Sequence, residues 1–453
     1  MKKLLIALSI ATCTFVGMEA KDLSGVKIYI NPGHGGYWNG GADSVFNEDG
    51  TLLLVKGNDR NVPTINFEPL DTNGFWESKC NLIKSLELKR LLEQAGATVK
   101  LSRTLNREID DKPLRMIGKE ANAFGADAFI SIHTNAAGER ARVNYFLNVY
   151  NKDASGLGKN VTNMALSRHQ ATMSISYLMD NDITVWSPRL IVTEDKPFLG
   201  YSLGVLRHLD IPGFLVEGTF HDYRPETHRL LNEDYAKLHA WNVYRFYCDY
   251  FGADQPNYGV VAGAVKDSKR VMTHERYHNW IKGSHDMYQP LNGADVTLID
   301  ANGNVVGTYK TDNNYNGVFV FWNVMPGKYT VKMEANGYKT VEKAIEVKAG
   351  EMCDFVEMLN DPNYRIPKLV VGEFNKWAFN LKTADLGNGK YRLECDITRD
   401  VENAAICFTK GGIVVKDIKL GNLKKGKFSQ EVDLSNVRKK GLFWEINQIK
   451  PLD

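Results

Sequence analysis

The stretch "VKIYINPGHGG" (residues 26–36) brings Val26, Ile28, Tyr29 and Ile30 into one short run and then breaks at Asn31, Pro32 and Gly33. β-Branched and aromatic residues followed by turn formers read as a buried strand, and His34 stands just past its carboxyl end. The next regular segment differs in period. Residues 75–95, "FWESKCNLIKSLELKRLLEQA", place Leu82, Leu86, Leu88, Leu91 and Leu92 at helical spacing and stop at Gly96. "ATVKLSR" returns to a strand, a helix from Pro113 to Phe124 follows, and "ADAFISIHTNA" is a strand that ends in His133. "VNYFLNVY" and "GFLVEGTF" are further strands, and residues 225–251 read as one long closing helix rich in aromatic residues. Strands alternating with helices predict a three-layer α/β domain with a mostly parallel sheet. In such sheets chemistry gathers at the carboxyl ends of the strands.

The rest of the chain is organised around that domain. Its 453 residues call for roughly two to four domains. Lys+Arg 56 against Asp+Glu 54 leaves a net charge of +2, which argues against nucleic acid or another polyanion as partner. The first twenty residues, "MKKLLIALSIATCTFVGMEA", have the layout of a secretory signal peptide: lysines, an apolar run, then the small residue Ala20. No later run has the length and apolarity of a membrane-spanning helix. These features predict an exported protein, periplasmic or on the cell surface, without an integral membrane segment. Thr12 fits a lipidation signal at Cys13 poorly. The remaining cysteines, Cys80, Cys248, Cys353, Cys395 and Cys407, are odd in number and scattered, which favours buried thiols over a disulfide framework and leaves room for one Cys395–Cys407 bridge.

After "GADQPNY" (252–258), read as a linker, the period changes to short alternating strands separated by turns such as "ANGN" and "MPG". The predicted organisation is a signal peptide over 1–20, an α/β domain over 21–252, a small β-sandwich over 259–360 and a second small β unit over 361–453. Trp377 and Trp444 in the last unit serve either as a stacking platform for a glycan or as core. Between the first strand and the first helix lies a Gly/Asn/Asp-rich insertion, residues 37–74, long enough to rim a cleft.

Four residues fall where the α/β fold would bring them together. His34 and His133 follow or end strands, Glu77 opens a helix, and Glu217 lies in the apolar strand "FLVEGTF". Each alone has a plainer reading: a turn residue, a core histidine, a first-turn carboxylate favoured by the helix dipole, a glutamate paired with an arginine. As a set they match what zinc catalysis requires, namely ligands on rigid elements, an open position for water and a base beside it.

"IYINPGHGG", "FWESKCNL", "SRT" with "ANAFGADAFISIHTNA", and "IPGFLVEGTF", in this order, resemble the zinc-dependent N-acetylmuramoyl-L-alanine amidases of the Amidase_3 type over most of residues 25–252. The resemblance implies zinc as cofactor and peptidoglycan as substrate. It implies His34, Glu77 and His133 as zinc ligands, and Glu217 as the catalytic carboxylate that takes a proton from the attacking water. The bond cut would be the amide between N-acetylmuramic acid and the L-alanine of the stem peptide. Because histidine must be neutral to bind metal, activity should fall below about pH 6. Asn31 stands where the family commonly has an acidic residue, and "VEGTFHD" departs from the usual ending, which leaves the substrate pose open. Arg103 and Arg189 are candidates to grip stem-peptide carboxylates or to form surface ion pairs. Two other readings stand beside the amidase: a wall-binding or surface protein that keeps the fold, and a zinc hydrolase of another amide or glycan.

"LNGADVTLIDANGNVVGTYKTD" and its neighbours over 259 to about 359 look like a carboxypeptidase-regulatory-like sandwich, which implies a scaffold or a contact with a surface glycan or protein. Within it, "HERYH" (274–278) has the H-E-x-x-H spacing of a zinc peptidase. Fewer than about forty residues surround it, too few for the sheet that supports such a site. A solvated insertion, or an accessory metal site with His285, is the expectation there.

Overall fold

A computed structural model describes residues 21–34, 75, 77–106, 110, 112–137, 142–151, 161–187, 191–273, 280–373, 375 and 377–449. The signal-peptide segment with Cys13, the insertion at 37–74, Arg189 and the HERYH stretch lie outside the described residues.

The first unit runs β1 (Lys27–Pro32), α1 (Glu77–Gln94), β2 (Thr98–Leu101), α2 (Leu114–Phe124), β3 (Ala128–Asn135), β4 (Leu147–Tyr150), α3 (Val161–Leu178), β5 (Ile191–Glu194), α4 (Asp195–Leu199), β6 (Gly213–Phe220), α5 (Arg224–Leu230) and α6 (Glu233–Phe251). Its sheet has the order β2-β1-β3-β6-β4-β5. β2, β1, β3 and β6 are parallel; β4 runs antiparallel to β6, with β5 parallel to it. Helices α1, α3 and α6 cover one face, where Leu88, Leu92, Phe214, Val216 and Trp241 are buried together. α2 covers the other, packing Ile117 and Ala121 on Tyr29, Phe129 and Leu215. This is the three-layer α/β domain with a mostly parallel sheet that the periodicity predicts. Burying each Leu or Phe of these layers contributes about 1.5–3 kcal/mol.

The closing helix is two helices. Leu231 and Asn232 separate α5 from α6, and the Asn232 side chain accepts a hydrogen bond from the Tyr235 backbone N–H at 3.0 Å as the N-cap of α6. The same Asn232 donates to Asp312 at 2.9 Å, so the break is shaped by the following unit.

That unit has β7 (Gly259–Val271), β8 (Tyr288–Pro290), β9 (Asp295–Asp300), β10 (Val305–Lys310), β11 (Val318–Val324), β12 (Gly327–Glu334), β13 (Val341–Val347) and β14 (Met352–Leu359). They form two sheets, β10-β9-β12-β13 and β11-β7-β14, with β8 beside β7. β7 is apolar at both parities for a structural reason. Val261 and Val265 face the sandwich core, whereas Val260, Ala262 and Ala264 belong to the cluster of Trp241 and Phe246 in the α/β domain. A strand buried on both faces loses polar alternation. The segment 252–258 is therefore a packed joint rather than a free linker. Tyr258 stacks obliquely on Trp241 at 5.5 Å, and Gln255 donates to the Arg245 carbonyl at 2.9 Å.

The last unit comprises β15 (Leu369–Gly372), β16 (Ala378–Gly387), β17 (Lys390–Ile397), β18 (Val401–Lys410), β19 (Ile413–Leu423), β20 (Gly426–Asp433) and β21 (Leu442–Gln448). Its sheets β15-β21-β18-β19 and β16-β17-β20 enclose a core that contains both Trp377 and Trp444. The two tryptophans are core, not a stacking platform. Cys80, Cys248, Cys353, Cys395 and Cys407 are all free thiols, so the Cys395–Cys407 bridge is not formed. No helix among the described residues is long and apolar enough to cross a membrane.

Candidate active site

Three parallel strands end side by side, and their ends carry the chemistry. His34 follows β1, His133 lies near the end of β3, and Glu217 is its register partner on β6. α1 begins over this edge with Glu77 as its first residue. His34 Nε2 lies 2.9 Å from Glu77 Oε2 and His133 Nδ1 lies 3.4 Å from Glu77 Oε1. One ligand atom from each of His34, Glu77 and His133 falls within 4.8 Å of the others, a spacing that suits one metal ion.

The backbone is shaped for that convergence. A Cβ on Gly33 would come within 2.4 Å of the His133 ring, so only glycine leaves room for the imidazole. His34 itself sits at φ 51°, a left-handed conformation uncommon outside glycine and frequent at functional sites. Two nitrogens and one carboxylate oxygen are a donor set of the kind that three-ligand catalytic zinc sites use.

Surrounding bonds fix the donors. Glu77 Oε1 accepts from the Thr134 N–H at 3.0 Å and from Asn81 Nδ2 at 3.2 Å. Arg103, expected as a surface or substrate arginine, is buried instead. Its guanidinium donates to the carbonyls of Pro32 (3.3 Å), Gly33 (3.1 Å) and Ser78 (2.8 Å), tying the His34 turn to the first turn of α1. Asn31 accepts from Ser102 Oγ at 2.6 Å and donates to Ser131 Oγ at 2.8 Å. It ties β1 to the end of β2 and to β3.

The two carboxyl groups are pushed in opposite directions. Burial alone would raise Glu77, but the charge of His34 and the hydrogen bonds from His133 and His34 hold it well below the usual carboxylate range. Glu217 is raised well above that range, by burial and then by the Glu77 charge, against the opposing pull of Lys84. Burial lowers His133, which favours the neutral ring that binds metal.

Two residues that sequence reasoning did not single out lie at the site. Lys84 is fully buried on α1, its Nζ 3.5 Å from where a Cβ on Gly218 would stand. His221, just past β6, has Nδ1 2.9 Å from Thr134 Oγ1 and stacks on Phe75 at 5.5 Å. The buried face of α1 carried a usable signal: Glu77, Asn81, Lys84 and Ser85 continue, at helical spacing, into Leu88, Leu91 and Leu92. A stripe that turns from apolar to polar at one end marks where the helix leaves the core for a site.

Residues 28–246 match the family described as N-acetylmuramoyl-L-alanine amidase, and residues 286–355 match the carboxypeptidase regulatory-like domain. The N-acetylmuramoyl-L-alanine amidase CwlM of Bacillus licheniformis is 31% identical over 115 residues, which are 25% of this chain and 33% of CwlM. The chain thus spans about a third of the length of this curated relative. Similar solved structures include an N-acetylmuramoyl-L-alanine amidase from Clostridium difficile 630, with 21% identity and a TM-score of 0.36 over 50% of this chain and 97% of that one. Another is Ami1 from Mycobacterium abscessus, with 15% identity and a TM-score of 0.38 over 50% of this chain and 99% of that one.

Proposed function

We propose that the protein is an exported, zinc-dependent peptidoglycan amidase that hydrolyses the bond between N-acetylmuramic acid and the L-alanine of the stem peptide. The observation that carries this reading is the convergence of His34, Glu77 and His133 within 4.8 Å, with Glu217 on the neighbouring strand. His34, Glu77 and His133 would hold zinc, which when bound supplies a Lewis acid for the amide carbonyl and makes water more acidic. Glu217 accepts a proton from the attacking water at its carboxylate and returns it to the nitrogen of the leaving L-alanine. Burial and the Glu77 charge raise its carboxyl above the usual range, which makes its carboxylate a stronger base for that proton. Thr134 N–H and Asn81 keep Glu77 oriented, and Arg103 keeps the His34 turn against α1. Export rests on the signal-peptide layout of residues 1–20 and on a substrate that lies in the cell wall.

The test is product analysis. Full-length wild type, loaded with zinc and incubated with purified peptidoglycan, is expected to release stem peptides with free L-alanine amino groups, read by mass spectrometry. Glu217→Gln is expected to retain zinc and release none. Zinc-loaded wild type that leaves the muramyl–alanine bond intact sinks the reading.

A further inference from the structure

Residues 280–287, between β7 and β8, form a strap that leaves the sandwich and enters the amidase domain. Trp280 is buried, donates from Nε1 to the Met272 carbonyl at 3.2 Å, and meets Phe443 of the last unit edge-on at 5.7 Å. The Arg142 guanidinium lies 5.8 Å from its ring. The Ile281 N–H donates to the Tyr223 hydroxyl at 3.0 Å, and that hydroxyl donates to Asp286 Oδ2 at 3.0 Å. Asp286 is wholly buried. It accepts both ends of the Arg229 guanidinium, at 2.6 and 3.1 Å, and the Lys266 ammonium at 2.9 Å.

The bonds continue inward to the site. Arg229 Nε donates to Glu226 Oε2 at 2.8 Å, where Thr184 Oγ1 also donates at 2.6 Å. Asn144 Nδ2 donates to Thr184 Oγ1 at 2.8 Å, and Asn144 Oδ1 accepts the Phe220 N–H at 2.9 Å. Phe220 ends the strand that bears Glu217, and Asn144 and Arg142 lie in the connection that leaves the strand bearing His133. Strap contacts therefore reach two of the three connections that leave the catalytic edge, those after β3 and β6.

We infer that this strap, through Asp286, is a positioning element of the amidase site, so that the carboxypeptidase-regulatory-like unit is a working part of the catalytic domain and not an appended module. The inference rests on the proposed amidase reading only for its kinetic consequence. Asp286 is the one carboxylate shared by Arg229 and Lys266, and the chain of bonds it begins ends on a backbone N–H of the Glu217 strand. An aspartate that merely glued two domains would need no such route. This also gives the insertion after β7 a role: it carries the strap, whatever its HERYH portion does.

The test uses the full-length, zinc-loaded chain with Asp286→Asn, which keeps shape and loses charge. Arg270→Gln serves as control, because Arg270 pairs with Asp267 and Asp361, away from the site. For Asp286→Asn, kcat on purified peptidoglycan fragments is expected to fall at least tenfold. KM should stay within twofold and zinc content unchanged, while hydrogen exchange at Phe220 and His221 accelerates at least tenfold. The control should change neither. A lowered melting temperature with kcat and exchange unchanged would reduce the strap to interdomain glue and overturn the inference. Should wild type lack amidase activity, the function reading fails alone, and exchange at 220–221 still decides this one. Tyr223→Phe, which removes only the hydroxyl, should move the same readouts in the same direction and serves if Asp286→Asn does not fold.

Discussion

The catalytic edge and the domain junction are both buried clusters of ionisable side chains, and they differ in how their charges are matched. At the junction two cations, Arg229 and Lys266, meet two carboxylates, Glu226 and Asp286, with bidentate and shared bonds between them. Asp286 lies well below its usual range; burial opposes this, and the Arg229 and Lys266 charges overcome it. At the candidate site Glu77 meets the imidazoles of His34 and His133, Glu217 lies beside His133 on the next strand, and Lys84 near Gly218 is the nearby cation. The first cluster is complete within the chain, so its groups have nothing further to bind. The second is rich in lone pairs and short of positive charge. That imbalance separates a ligand site from a structural lock when both are buried and both hold strongly shifted groups.

Substitutions in the two clusters should therefore fail in different ways. Glu217→Gln is expected to lower kcat by about 10²–10⁴-fold, the usual worth of a general base, with folding and zinc content intact. His133→Ala should abolish zinc binding as well as activity, read by metal analysis of the purified chain. A Glu217→Gln protein that lost its zinc would place Glu217 among the ligands and redraw the site. At the junction the loss should appear in stability as well as in the kcat effect inferred for Asp286→Asn, with zinc binding left intact. Arg229→Ala leaves Glu226 and Asp286 buried without their shared partner, and breaking such a pair costs about 3–5 kcal/mol, measurable by denaturant unfolding. A loss under about 1 kcal/mol would mean that water enters the junction freely, and the contrast between the clusters would dissolve.

Between these two effects stands Arg103. Its contacts are with carbonyls of the His34 turn and α1, so Arg103→Met should weaken zinc affinity by about 10–100-fold, as loss of an outer-shell partner does, while leaving the substrate KM of the fully loaded enzyme unchanged. A raised KM at saturating zinc would instead support the substrate-gripping role.

The grouping of His34, Glu77 and His133 was legible in the sequence because these residues lie at or near the ends of short, strongly patterned elements. "AFISIH" and "FLVEG" are apolar runs that reach an ionisable residue, and Glu77 opens a helix with clean leucine spacing. The junction was not legible. Asp286, Arg229 and Lys266 read as ordinary surface charges, since no local pattern reveals a partner 57 residues away. Glu233 and Asp234 at the start of α6 continue a helical pattern across Asn232, and only the cap and the bond to Asp312 show the break. Arg103 was misread because a buried arginine that binds carbonyls looks like any other arginine in one dimension. β7 carried a hint that was available: "GVVAGAV" is apolar at every position, more than one small sandwich requires of an outer strand.

A third contact between the domains is matched in neither way and should respond to pH. Asp354 on β14 accepts the Asp182 backbone N–H from the α/β domain, and burial, with Asp182 and Asp180 nearby, raises its carboxyl to about 7. Between its ordinary value of 3.8 and about 7 the folded chain holds a proton that the unfolded chain has released. Stability contributed at this position is therefore greatest at low pH, falls as pH rises through that window, and is at its minimum above about 7. At roughly 1.4 kcal/mol per pH unit the full effect is a few kcal/mol at most, and partial exposure reduces it. Asp354→Asn keeps an acceptor for the Asp182 N–H and removes the charge. The variant should melt higher than wild type at pH 8 and alike at pH 4, in scans that hold zinc constant. Equal melting temperatures at both values would mean that Asp354 is solvated at the seam, and that the two domains part there more easily than at Arg229.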